Sequence, residues 1–146
     1  MSKTRILLAV AGVVTLALFC VSQTDAGGDL FAGDSAQLET SEPKIYPDGS
    51  RGYTSGMQSL WRVNAGTAFT LSVATTRPSD YARVYFVLVD AGTGQVDGIS
   101  VPVAPRYPKQ KTNTIVTRNG CTVKAVAHSG MRTTVVVALE TRIDSW

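Results

Sequence analysis

At 146 residues, with 44% hydrophobic and 17% charged residues and a formal net charge of +3, the chain has room for one domain with a modest core. One histidine and two cysteines exclude a zinc scaffold built from Cys and His, which takes three or four such ligands, and a disulfide framework. The net charge conceals an asymmetry, since residues 27–43 carry four acids and no base while residues 44–146 carry twelve bases and six acids.

The first residues read as an export signal. Lys3 and Arg5 precede Ile6 to Val21, a run without charge that is broken only by Thr15. Thr24 and Ala26 are placed for cleavage before Gly27. Residues 1–26 are therefore expected to be a signal peptide. The alternative is an uncleaved anchor helix with membrane contact through residues 6–21, because the run approaches the roughly 20 residues of a membrane span. Either way the domain is expected outside the cytoplasm, periplasmic or secreted. Cys20 follows Phe19 rather than a small residue, so it reads as an apolar member of the run and not as a lipid attachment site.

Residues 27–43 are rich in Gly, Ala, Asp and Ser and are expected to form an acidic flexible arm. The domain proper is placed at 44–146. Tyr46-Pro47-Asp48-Gly49 is a turn signal. Beyond Leu60 the apolar period is two: Phe69, Leu71 and Val73; Val84, Phe86 and Leu88; Ile99, Val101 and Val103. Such alternation marks strands with one buried face. Pro102 assigns its strand to an edge, and Asp90 to Gly94 forms a hairpin loop.

Asn119-Gly120 reads as a two-residue hairpin turn. A three-residue loop at His128-Ser129-Gly130, with Gly130 left-handed, aligns Cys121, Val123, Ala125 and Ala127 with Val135, Val137 and Leu139 on one apolar face. Cys121 is then a buried thiol. The resulting fold class is all-β, a small antiparallel β-sandwich of immunoglobulin-like architecture without that family's inter-sheet cysteine pair.

Catalytic chemistry finds little to work with. His128 falls in a turn, and Gly52 to Gly56 lacks the spacing of a nucleophile elbow. The acids of the domain are isolated, no metal-ligand cluster is present, and no cofactor motif occurs. Two binding surfaces are expected instead. The first is the basic loop of Arg106, Tyr107, Lys109 and Lys111, suited to phosphate, sulfate or carboxylate groups. The second is a mixed face carrying Lys124, Val126 and Arg132. The expected role is that of a non-enzymatic binding or assembly module. Its partner is a protein of an envelope or surface complex, or an anionic envelope polymer. Export disfavours nucleic acid. A membrane-anchored structural subunit is the second reading and a small secreted hydrolase the third.

Overall fold

The computed structural model describes residues 33–141; residues 1–26, expected to be a signal peptide, residues 27–32 of the expected arm and residues 142–146 lie outside them. Eleven strands and no helix occupy the described residues: β1 (Gly33–Glu39), β2 (Glu42–Ile45), β3 (Arg51–Thr54), β4 (Gln58–Val63), β5 (Ala68–Thr75), β6 (Ala82–Asp90), β7 (Val96–Val103), β8 (Lys109–Lys111), β9 (Ile115–Val116), β10 (Cys121–Ser129) and β11 (Thr134–Thr141). They form two antiparallel sheets in a β-sandwich-like arrangement. One sheet runs β1-β11-β5-β8, with β9 also on β5; the other runs β2-β3-β10-β6-β7, with β4 also on β10.

β3 and β4 succeed each other along one edge of β10 and act as a single broken lane. At the break, Ser55 keeps the ladder intact. Its N–H donates to Ala127 O, and its hydroxyl accepts from Ala127 N–H, both at 2.9 Å. β8 and β9 share an edge of β5 in the same way.

The pairings reveal one long ribbon. β6 pairs with β7, β5 with β8 and β9, β3 and β4 with β10, and β1 with β11. The tip of the ribbon is the Asp90–Gln95 hairpin, closed by Asp90 N–H to Gln95 O at 2.8 Å. Successive pairs fall in alternate sheets, so the ribbon winds around its own core. Contacts β10–β6 and β11–β5 then close the two sheets.

The core is the set of inward positions of both sheets. Phe69, Leu71, Val73, Val84, Phe86, Val123, Val135 and Val137 are fully buried, and Leu88, Val101, Val103 and Leu139 nearly so. Each buried Val or Leu contributes roughly 1.5–3 kcal/mol relative to exposure. β7 is an edge strand, and Pro102 sits exposed on it with no ladder donor missed. Cys121 is buried among these residues, and burial pushes its thiol pKa up against the opposing effect of the Thr117 hydroxyl.

Four expectations need correction. First, the immunoglobulin order sets strands ABED against CFG, whereas here sequence neighbours after β4 mostly lie in opposite sheets. Second, Asn119-Gly120 and Ser129-Gly130 are crossovers between sheets rather than hairpin turns. β9 pairs with β5 and β10 with β6 and β4. Cys121, Val123 and Ala125 do share a core with Val135, Val137 and Leu139, but from facing sheets. The reason is that two inward faces of a sandwich give the same alternation as one face of a hairpin.

Third, Gly130 is not left-handed, whereas Gly120 is, with φ +83°. A Cβ on Gly120 would meet Val63 O at 2.6 Å; on Gly130 it would meet only the hydroxyl tip of the exposed Tyr81. Fourth, the arm is partly strand. Ala36, Leu38 and Thr40 point inward, Leu38 and Thr40 being fully buried, while Gln37 and Glu39 face solvent. That alternation is hidden by polar, small-residue composition.

Two outcomes test this packing. Val137→Ala is expected to cost about 2 kcal/mol or more and Val136→Ala under about 1 kcal/mol in chemical denaturation, because only Val137 leaves a cavity. Gly120→Ala is expected to cost about 1–3 kcal/mol through left-handed strain and the backbone clash, and Gly130→Ala within about 0.5 kcal/mol.

Candidate functional site

Because the ribbon alternates direction, its loops gather at two ends of quite different chemistry. One end holds the connections Asn64–Thr67, Asp90–Gln95 and Thr112–Gly120. Gly66 N–H donates to Thr117 O at 2.8 Å, Ala91 N–H to Gly120 O at 3.0 Å, and Asn119 Nδ2 to Asp90 Oδ2 at 3.1 Å. These loops are mostly Gly, Ala, Asn and Thr, with Arg118 their one base and no aromatic side chain. They are turn chemistry.

The other end gathers Thr40, the Tyr46–Ser50 hairpin tip, residues 76–81, residues 104–108 and residues 129–133. All five tyrosines of the chain lie at or beside it: Tyr46, Tyr53, Tyr81, Tyr85 and Tyr107. So do His128, Arg77, Arg83, Arg106 and Arg132. Its loops are tied together by buried polar contacts. Thr40 N–H donates to Thr133 O at 2.8 Å, and the Thr40 hydroxyl accepts from Thr133 N–H at 2.9 Å. Asp80, 2% exposed, accepts from the Thr133 hydroxyl at 2.5 Å and from Arg77 Nε at 2.9 Å. These bonds, the Thr133 hydroxyl foremost, hold its carboxyl below the ordinary 3.8. Ser129 Oγ donates to Tyr81 O at 2.6 Å, and Thr75 N–H to Pro108 O at 3.0 Å.

On the outer face of the β10 sheet, three rings follow one another. Tyr46, His128 and Tyr85 have successive centroids 5.4 Å apart, tilted by 58–59°. The row exists because Gly52 is bare: a Cβ there would lie 2.6 Å from the Tyr46 ring and from Ser129 O. Tyr46 therefore folds across the strand, and its hydroxyl donates to Tyr53 O at 2.9 Å with Ser129 O at 3.3 Å. Cations accompany the rings. Lys44 Nζ lies 5.8 Å from the Tyr46 centroid and the Arg132 guanidinium carbon 5.2 Å from that of Tyr53. Arg83 neighbours Tyr85 on the same strand face and donates to Ser100 Oγ at 2.9 Å. Among the described residues the one ion pair is Arg77–Asp80.

The expected site residues divide accordingly. Arg106, Tyr107 and Arg132 come to the tyrosine-rich end, and Lys109 opens the strand that leaves it. Lys111 lies further along and lines an open depression of about 370 Å³ with Thr70 and Glu140. Lys124 sits mid-sheet between Val87 and Ser59. Val126, 9% exposed, is covered ground beside Tyr85 rather than an exposed contact. The single mixed face expected for Lys124, Val126 and Arg132 is therefore not one surface.

Tyr46, Tyr53, Tyr81 and Tyr85 were not anticipated as site residues. A signal for part of the cluster exists in the sequence. Residues 77–81 read Arg-Pro-Ser-Asp-Tyr and residues 106–108 Arg-Tyr-Pro, two similar loops separated by one hairpin and so at one end. His128 is flanked by the rings of Tyr46 and Tyr85 and lies opposite Arg83 on β6 and Thr54 on β3.

Burial, and then the charge of Lys44, lower the His128 pKa from 6.5. Arg83 faces it from β6 and Thr54 from β3. The unfolded chain therefore takes up the proton more readily, and stability falls as pH drops below 6.5. Urea denaturation is expected to show that His128→Gln removes this part of the acid loss. The part due to Asp80 remains, and begins only near and below 3.8. No protein-family model matches the chain, and no characterised protein matches its sequence.

Proposed function

We propose that this chain is an exported, non-catalytic binding module of an envelope or surface assembly, built as a jelly roll, that engages its partner with the tyrosine-rich end. The jelly-roll reading is supported by the wrapped ribbon, in which the outer strands of two Greek keys meet as β1–β11 and β3/β4–β10. Export is supported by Lys3, Arg5 and the apolar run before Gly27.

One observation carries the binding role. The five tyrosines and four arginines gather where five loops meet, while the opposite loops hold none of the tyrosines. Tyr and Arg are the residues that dominate recognition surfaces, because each offers large contact area together with a polar handle. The network of Thr40, Asp80, Ser129 and Thr133 holds the loops in place, which lowers the ordering cost of binding. Jelly rolls serve as capsid and lectin domains alike, an analogy of fold alone.

The test uses the full-length protein and the envelope fraction of the cells that export it. Arg106→Ala with Tyr107→Ala is expected to weaken retention about tenfold or more, and Arg118→Ala at the opposite end to leave it within about twofold. Equal effects from the two ends, or none from either, contradict the assignment. An intact mass beginning at Gly27 is expected; one that retains residues 1–26 assigns the anchored structural subunit instead.

A further inference from the structure

The chemistry of the same end narrows the class of partner, and this step rests on the binding role proposed above. We propose that the tyrosine-rich end takes an acidic polysaccharide, a polymer of sugar rings bearing carboxylate or sulfate groups. The basis is the pairing of rings with cations. Tyr107, 60% exposed, adjoins Arg106; Tyr85, 39% exposed, adjoins Arg83; Arg132 lies over Tyr53 and Lys44 over Tyr46.

The two pairs with an exposed ring, Tyr107 with Arg106 and Tyr85 with Arg83, each match one unit of an acidic sugar. The apolar face of a sugar ring stacks on the phenol, whose flat surface costs little entropy to present. A carboxylate or sulfate beside that ring takes two parallel N–H bonds from a guanidinium. Two acids sit in the loops of this end: Asp80 is buried and bonded to Thr133 and Arg77, and Asp48 accepts from Ser50 N–H and Oγ within its own turn, while Lys44, Arg77, Arg83, Arg106 and Arg132 outnumber them.

The layout also suits a polymer better than a compact ligand. Tyr46, His128 and Tyr85 form a line across the sheet with ring spacings of 5.4 Å, on the scale of one sugar ring. On that face Tyr85 is exposed and Tyr46 and His128 are half-buried. Lys44 and Arg83 flank the row at its two ends. Protein interfaces also enrich Tyr and Arg, so loss of envelope retention without binding of either acidic polymer assigns a protein partner instead.

The experiment immobilises the full-length protein and titrates polygalacturonate, heparin, neutral dextran and a single-stranded oligothymidylate at low and high salt. Polygalacturonate or heparin is expected to bind, dextran not; which of the two binds tighter separates carboxylate from sulfate recognition. Tyr107→Ala and Arg132→Gln are each expected to weaken binding about tenfold, and Arg118→Gln to leave it unchanged. Melting curves of the variants confirm that the fold persists. Tyr107 is exposed, so its truncation leaves the core intact.

Binding that vanishes at high salt and ignores Tyr107→Ala is counterion exchange alone and overturns the inference. Tighter binding of the oligonucleotide, or binding of neither acidic polymer, overturns it as well. If neither binds while the loop-end variants still lose envelope retention, the polysaccharide falls and the binding role stands. If retention ignores the loop end, the binding role falls too.

Discussion

The pairing of β10 along both of its edges is the interaction on which the rest of the structure depends. Its residues meet β6 on one side, from Cys121 opposite Asp90 to His128 opposite Arg83. On the other side they meet β4 and then β3. Both partners lie far back in the chain, so these bonds close large loops and form at considerable entropic cost. What offsets that cost is the face beneath. Cys121, Val123, Ala125 and Ala127 are all buried, and they meet the inward side chains of the other sheet in a single core.

The same strand organises the outside. Its outward residues place Lys124 at mid-sheet and His128 between Tyr46 and Tyr85. Its C-terminal residue, Ser129, ties the Tyr81 loop to the end where the tyrosines gather. Stability and the layout of the rings are thus coupled through one element: whatever fixes the register of β10 also fixes the spacing of the rings.

The two ends differ because they answer different demands. At one end Asp90 accepts from Gly92 N–H, Thr93 N–H and Asn119 Nδ2, and Gly120 O from Ala91 N–H, so the polar groups of these tight connections are used up within them, satisfying one another. At the opposite end that task falls to buried hydroxyls and one carboxylate, Thr40, Ser129, Thr133 and Asp80. Larger side chains are then left to face outward, and Tyr81, Tyr107, Arg77, Arg106 and Arg132 do so. A loop stabilised from beneath can present aromatic rings in a fixed arrangement, and pre-organisation of that kind favours binding.

The sequence by itself determined β5, β6, β7, β9, β10 and β11, their inward residues, the edge position of Pro102 and the Asp90–Gln95 hairpin. All of these are local: period-two alternation and turn chemistry report which way neighbouring side chains point. But it read Lys109–Lys111, which form β8, as part of the basic loop. It also singled out Arg106, Tyr107 and Arg132, which the fold brings to the tyrosine-rich end. Only the tertiary structure decided which strands pair. Val123 and Val137 read as one face of a hairpin, yet they come from facing sheets, because alternation records that a residue is buried and not against what. The same limit hid β1, whose Leu38 is recognisable as core only once the Val135 strand lies beside it. It also hid the site. Tyr46, Tyr53, Tyr81, Tyr85 and Tyr107 are scattered over sixty-odd residues of chain, and only the winding of the ribbon brings their loops to one end.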